Sequence, residues 1–127
     1  MKRVLVVDDC ADTRTAIVSA LKRHFEIDIV EAESGEAAVL IIRAMAIDLV
    51  VSDLMMPNGT GVWLHQVIKE HFFEIPLIMF TAVGAQKNTL PPSDETLRAV
   101  IKKPNLDELI VETRRLGVFS ERKLAGS

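Results

Sequence analysis

Short apolar runs alternate along this chain with segments in which apolar residues recur at helical spacing. Continuous apolar runs of four to six residues are typical of strands that are covered on both faces. Val4–Val7 is such a run, and four further apolar-rich segments are also predicted to be strands: Ile27–Ala32, Ile47–Ser52, Pro76–Phe80 and Leu97–Lys102. Strands that alternate with helices form βαβ units and pair in parallel. The pattern therefore predicts an α/β protein built on a five-stranded parallel sheet.

The segments between these runs carry helix signals. The first helix has apolar residues at the spacing of one helical face, and the second begins at Ser34, a residue type that caps helix N-termini. Either Asn105 or Asp107 begins the last helix, and Gly117 ends it. The predicted helices are Thr13–Phe25, the residues after Ser34 to about Met45, Gly61–His71, and the segment that ends at Gly117.

Two prolines interrupt the segment between the fourth and fifth strands. Pro91 and Pro92 cannot lie inside a helix without breaking it, and each also restricts the residue before it. We therefore expect the fourth helix of the alternating pattern to be short, at roughly Ala85–Leu90, or absent.

Composition limits the class of protein. A chain of 127 residues with 49% hydrophobic residues and a net charge of −3 is typical of a single compact domain. No basic block predicts direct nucleic-acid binding, and no apolar run approaches the ~18 residues of a membrane-spanning helix. The only cysteine, Cys10, excludes an internal disulfide and favours a cytoplasmic location. We expect the domain to cover residues 1–117, followed by a frayed polar tail at 118–127.

Polar residues follow four of the predicted strands at the point where each strand ends. They are Asp8 and Asp9, Asp53, Thr81, and Lys103. The carboxyl ends of parallel strands meet at one edge of a sheet, where ligands bind in α/β proteins. Carboxylates that converge there repel one another unless a cation or a proton intervenes. The pattern predicts a divalent metal beside a carboxylate that is able to react.

The motifs that carry these residues resemble those of the receiver domain of bacterial response regulators. The matching segments are VLVVDD, LVVSDLMMP with Gly61 following, FTA and KKP, and the resemblance covers roughly residues 2–117. It implies a flavodoxin-like doubly wound sheet with the strand order 2-1-3-4-5. It also implies two-component signalling, with a sensor histidine kinase or a histidine phosphotransfer protein as phosphodonor and an unknown protein as downstream partner.

The resemblance assigns a role to each polar residue. Asp53 corresponds to the phosphoacceptor. A receiver domain catalyses the phosphorylation and dephosphorylation of its own phosphoacceptor, and the resemblance implies no enzyme activity toward other substrates. Asp8 and Asp9, together with Asp53 and the backbone carbonyl of Met55, correspond to the ligands of Mg²⁺ or Mn²⁺. Thr81 and Lys103 correspond to the hydroxyl and the ammonium that bind phosphoryl oxygens.

One position departs from the family pattern, and two other functions compete with the receiver interpretation. Val100 occupies the place of the switch aromatic, and together with the proline pair it favours an interaction module that works without phosphorylation, whereas the five retained polar residues count against that module. A phosphatase of the haloacid dehalogenase type also uses an aspartyl nucleophile and Mg²⁺, but it requires an aspartate where Met55 stands. His65 lies beside the apolar face of its helix, so we interpret it as a histidine with a hydrogen-bond partner in the fold rather than as a phosphocarrier.

Overall fold

The computed structural model describes residues 1–56, 58, 60–72, 74–82 and 94–122, in which strands and helices alternate. The strands are β1 (Arg3–Val7), β2 (Asp28–Ala32), β3 (Leu49–Ser52), β4 (Leu77–Thr81) and β5 (Leu97–Lys102). The helices are α1 (Ala11–His24), α2 (Gly35–Ala44), α3 (Gly61–His71) and α4 (Leu106–Arg115). The predicted short helix at Ala85–Leu90 and the proline pair lie outside the described residues.

The five strands form one parallel sheet in the order β2-β1-β3-β4-β5, which confirms the predicted flavodoxin-like fold. The register aligns the carboxyl ends of the central strands. Val7 of β1 pairs with Ser52 of β3, and Thr81 of β4 pairs with Lys102 of β5. The polar residues that follow these positions are therefore brought to a single edge.

Alternate strand residues face opposite sides of the sheet and form two hydrophobic cores. Leu5 and Val7 pack on the side of α2 and α3, whereas Val4 and Val6 pack on the side of α1 and α4. All four side chains are fully buried. Helices cover both faces of the sheet, so the polar side chains that follow the strands gather at the carboxyl edge rather than on a face.

Hydrogen bonding moves several predicted boundaries by one or two residues. Thr81 belongs to β4, because its backbone continues the ladder with β5 beyond the apolar run. Asn105, not Asp107, caps α4, since its side chain accepts a hydrogen bond from the backbone N–H of Glu108. Gly117 has a φ of 70°, as expected of the glycine that ends a helix.

The expectation of a frayed tail is wrong for residues 118–122. The Glu26 backbone N–H donates to the Ser120 carbonyl, and the Arg122 N–H donates to the His24 carbonyl. The Phe119 ring lies 6.1 Å from the ring of the fully buried Phe25. This segment is therefore docked against the end of α1.

None of the helices in the described part of the chain has both the length and the apolar content that crossing a membrane requires.

Candidate functional site

Three carboxylates meet at the carboxyl edge of the sheet. Asp8 and Asp9 follow β1 and Asp53 follows β3, and one oxygen from each lies within 4.8 Å of the others. Asp8 is 1% exposed and Asp53 8% exposed, whereas Asp9 is open to solvent. The backbone holds the two strand ends together, because the Asp53 N–H donates to the Val7 carbonyl over 2.9 Å.

Each oxygen of the Asp53 side chain has its own donors. Oδ1 accepts from the backbone N–H of Leu54 at 2.7 Å and from that of Met55 at 3.5 Å. Oδ2 accepts from the Lys103 ammonium at 3.1 Å. The loop after β3 therefore fixes the rotation of this carboxylate.

Lys103 joins the two buried acids. Its Nζ lies 2.7 Å from Asp8 Oδ2 and 3.1 Å from Asp53 Oδ2. Burial alone would lower the pKa of Lys103, but the hydrogen bonds to Asp8 and Asp53 outweigh it and raise that pKa above its ordinary value. The neighbouring Lys102 is exposed, as expected from the alternation of side chains along a strand.

Thr81 and Gly61 complete the surroundings of this carboxylate cluster. Thr81 is buried at the end of β4, and its carbonyl accepts a hydrogen bond from the Lys103 N–H at 2.9 Å. The Gly61 N–H donates to the Leu54 carbonyl at 2.9 Å, which brings the start of α3 against the loop after Asp53. The structure thus brings together Asp8, Asp9, Asp53, Thr81 and Lys103, which the sequence predicted to lie at one edge.

The donor set suits a small, hard divalent cation. Mg²⁺ prefers oxygen ligands, keeps several of its waters and needs only a few carboxylates. Three carboxylates within 4.8 Å supply such oxygens, and the exposure of Asp9 leaves room for water. With Lys103 as the only cation paired to these acids within the described residues, the cluster keeps an excess of negative charge.

Sequence reasoning missed Arg14, which contacts the backbone of this cluster. Its Nη1 donates to the Asp8 carbonyl, and its Nε donates to Glu31 Oε1 over 3.1 Å. Long side chains on a helix point back toward its N-terminus. An arginine in the first turn of the helix after an acidic pair is the signal that could have identified this contact.

Away from the cluster, His65 has the partner that its sequence context predicted. The side chain is 5% exposed, and its Nε2 lies 3.1 Å from Asp94 Oδ2. Asp94 Oδ1 also accepts from the backbone N–H groups of Thr96 and Leu97, so it joins α3 to the start of β5. Val100 is half-buried and packs against the α2–α3 core.

Comparisons with known proteins agree with this arrangement. The family model of the response regulator receiver domain matches residues 4–114. The chain is 32% identical over 111 residues to the chemotaxis protein CheY of Bacillus subtilis (strain 168), covering 87% of this chain and 92% of that protein. It is 36% identical over 86 residues to CheY of Halobacterium salinarum, covering 68% of this chain and 71% of that protein.

Other matches are longer regulators or solved receiver domains. The chain is 33% identical over 105 residues to the phosphate regulon transcriptional regulatory protein PhoB of Pseudomonas aeruginosa. That match covers 81% of this chain but only 45% of PhoB. The receiver domain of the Francisella response regulator 1452 superposes with a TM-score of 0.78 at 27% identity, covering 91% of this chain and 96% of that one. The chain belongs to the response regulator receiver domain family.

Proposed function

We propose that this receiver domain takes a phosphoryl group onto Asp53 from the phosphohistidine of a sensor histidine kinase or a histidine phosphotransfer protein. The observation that carries the proposal is the placement of the Asp53 carboxylate. It is oriented by backbone donors on one oxygen and by Lys103 on the other, within 4.8 Å of two further carboxylates. A reacting carboxylate held in one rotation loses less entropy on reaching the geometry of attack.

The transfer is a displacement at phosphorus. A carboxylate oxygen of Asp53 forms a new P–O bond while the P–N bond of the phosphohistidine breaks, and the imidazole nitrogen keeps the electron pair and takes up a proton. Asp8, Asp9, Asp53 and the backbone carbonyl of Met55 would hold Mg²⁺ or Mn²⁺. When bound, this ion offsets the negative charge of the phosphoryl group. Hydrolysis of the acyl phosphate by water regenerates the carboxylate.

Lys103 and Thr81 would bind the transferred group. The Lys103 ammonium already contacts the Asp53 carboxylate, so a phosphoryl group on that residue arrives within reach of it. Charge-assisted hydrogen bonds of this kind are about twice as strong as neutral ones. Thr81 stands at the end of the neighbouring strand, and its hydroxyl would donate to a second phosphoryl oxygen.

We further propose that residues 1–117 form the receiver unit, that it works in the cytoplasm, and that its output is a protein contact.

A phosphorylation-independent interaction module is the second candidate, favoured by Val100 at the switch position. Its half-buried aliphatic side chain has no ring to turn inward as the family's aromatic does.

Mass measurement after treatment with acetyl phosphate and Mg²⁺ tests the proposal. We expect the parent chain to gain one phosphoryl group, Asp53→Asn to gain none, and Asp107→Asn, an exposed acid on α4, to behave as the parent. A gain that persists in Asp53→Asn, or after the metal is chelated, contradicts the assignment. No gain in the parent favours the interaction module.

A further inference from the structure

Arg14 holds the carbonyl group that leads into Asp9. Its Nη1 donates to the Asp8 carbonyl, which belongs to the same peptide unit as the Asp9 nitrogen. The peptide unit is planar, so a hydrogen bond that fixes its carbonyl oxygen also fixes the Asp9 nitrogen and Cα. The Asp9 side chain extends from that Cα. The exposed Asp9 side chain makes no hydrogen bond or ion pair with the described residues, so its direction depends on this backbone.

Asp8 is held at every polar atom, and Arg14 supplies one of these contacts. The Asp8 N–H donates to the Ala32 carbonyl at 3.1 Å. Its Oδ1 accepts from the Cys10 N–H at 2.8 Å, and its Oδ2 accepts from Lys103 at 2.7 Å. The remaining carbonyl oxygen takes the Arg14 donor, which completes the orientation of the acidic pair.

Glu31 anchors the other side of the guanidinium. The Arg14 Nε lies 3.1 Å from Glu31 Oε1 on β2, and the Arg14 side chain is 17% exposed. A guanidinium is planar and presents its donors in a rigid fork, whereas a lysine is a flexible point charge. The fork ties α1, β2 and the loop after β1 together at one place.

We propose that Arg14 is a positioning residue for the metal ligands Asp8 and Asp9. This inference rests on the proposed function, and it adds a determinant of metal affinity that lies outside the ligand set. Partners that orient ligands without touching the metal typically contribute about 10–100-fold to metal affinity.

The sign of the effect separates positioning from simple charge. Arg14 is a cation beside a cation site, so charge alone predicts that Arg14→Gln binds metal more tightly. Positioning predicts weaker binding. The double variant Arg14→Gln with Glu31→Gln changes no net charge, so charge alone predicts binding like the parent, whereas positioning predicts the same loss as in Arg14→Gln.

Arg3 offers a matched control at the opposite end of the same strands. Its Nε lies 2.8 Å from Asp28 Oδ2 on β2, and its Nη1 donates to the Ala46 carbonyl at 3.3 Å. Arg3→Gln therefore also removes a guanidinium that pairs with an acid on β2 and donates to a backbone carbonyl. Arg3 lies at the start of β1, whereas Asp8 follows the end of that strand. The metal affinity of this variant should equal that of the parent.

The experiment is a calorimetric titration of the full chain with Mn²⁺, with the folded state of each variant checked by thermal unfolding without metal. We expect Arg14→Gln, Arg14→Lys and the double variant to bind about tenfold more weakly or worse, and Arg3→Gln to bind as the parent does. The Mg²⁺ concentration for half-maximal phosphorylation by acetyl phosphate should rise in parallel, with the maximal rate largely recovered at saturating metal. If Arg14→Gln does not fold, Arg14→Lys provides the test, because it keeps the positive charge and removes only the planar fork.

Equal or tighter Mn²⁺ binding by the folded Arg14 variants overturns the inference and leaves the proposed function intact. An equal loss in Arg3→Gln also overturns it, because the effect would then reflect general stability. A parent chain that binds no Mn²⁺ overturns both the inference and the proposed metal site.

Discussion

Gly61 lies so close to Asp53 that a Cβ at position 61 would stand 2.3 Å from the Asp53 carbonyl oxygen. The same atom would stand 2.8 Å from the Leu54 Cα, so the obstacle is backbone that cannot turn aside. The absence of a side chain at Gly61 is what allows α3 to support the loop that orients the candidate phosphoacceptor.

We predict that Gly61→Ala lowers the free energy of unfolding by about 1–3 kcal/mol through overpacking and also weakens Mn²⁺ binding. Gly117→Ala is the control, because nothing lies within 4 Å of its added Cβ and only its φ of +70° is unfavourable. It should cost about 1 kcal/mol and leave Mn²⁺ binding unchanged. Urea unfolding and Mn²⁺ titration measure both effects, and unchanged metal affinity in Gly61→Ala contradicts the prediction.

Replacing Lys103 should destabilise the metal-free protein. Lys103→Gln leaves the buried carboxylates of Asp8 and Asp53 without their cation, and breaking a buried pair in this way costs about 3 kcal/mol. Mg²⁺ should restore part of that stability, because it replaces the lost positive charge. Urea unfolding with and without Mg²⁺ tests this, with the exposed Lys102→Gln as control. If Lys103→Gln lowers the free energy of unfolding no more than Lys102→Gln does, the ion pairs of Lys103 do not stabilise the fold.

Removing Asp9 should have the opposite effect on the metal-free protein. The carboxylate of Asp9 lies within 4.8 Å of two others and pairs with no cation among the described residues. We expect Asp9→Ala to raise metal-free stability by on the order of 1 kcal/mol and to weaken Mg²⁺ binding. Asp12→Ala removes the same charge from the first turn of α1 and should not stabilise. A lower melting temperature of Asp9→Ala without metal shows that repulsion is not the dominant effect.

Asp94 should make the fold sensitive to acid. Burial would raise the pKa of Asp94, but hydrogen bonds from the Leu97 and Thr96 N–H groups and from His65 lower it to about 2. An unfolded aspartate titrates near pH ~3.9. The carboxylate therefore adds stability that is fully present above pH ~4 and is lost as the pH falls toward about 2.

Urea unfolding between pH 2 and 6 measures this contribution in the parent and in Asp94→Asn. We expect the parent to lose about 1 kcal/mol more than the variant across the window from pH ~4 to ~2, because solvent screens part of the interaction. Asp28→Asn removes a more exposed acid whose pKa is lowered by its hydrogen bond with Arg3, so it should flatten the pH profile less than Asp94→Asn does. Parallel profiles for the parent and Asp94→Asn would falsify the assignment.

The docked segment after α4 should contribute to stability. Phe119 packs on the Phe25 ring, which the Arg114 guanidinium also approaches at 5.9 Å. Because Phe119 is only half-buried, Phe119→Ala should cost about 1–2 kcal/mol, less than a fully buried phenylalanine. Val118→Ala, at a more exposed neighbouring side chain, should change stability by less than about 0.5 kcal/mol. Equal unfolding midpoints for the two variants would mean that the segment is not held by Phe119.

Much of the fold could be predicted from local sequence patterns. The apolar run Val4–Val7 predicts a buried strand, and the spacing of apolar residues in α1 predicts a helix with one buried face. The two patterns can be told apart because strands and helices have different periods. The order of acids, hydroxyl and lysine at strand ends also predicts where the candidate site lies, because parallel strands end at a common edge. The strand order itself came from the family resemblance and not from these patterns.

Tertiary structure decided the features that depend on distant partners. Whether Asn105 or Asp107 caps α4 depends on which side chain reaches the Glu108 N–H, and docking of Phe119 depends on Phe25, far away in the chain. The contact between the Arg14 guanidinium and the Asp8 carbonyl was not predicted, because it depends on how α1 packs beside the end of β1. Periodicity records which face of an element is buried, whereas a hydrogen bond depends on where another part of the chain places its partner. The sequence alone therefore determined that the sheet is parallel and which polar groups follow its strands, and only the packed structure determined how those groups are oriented.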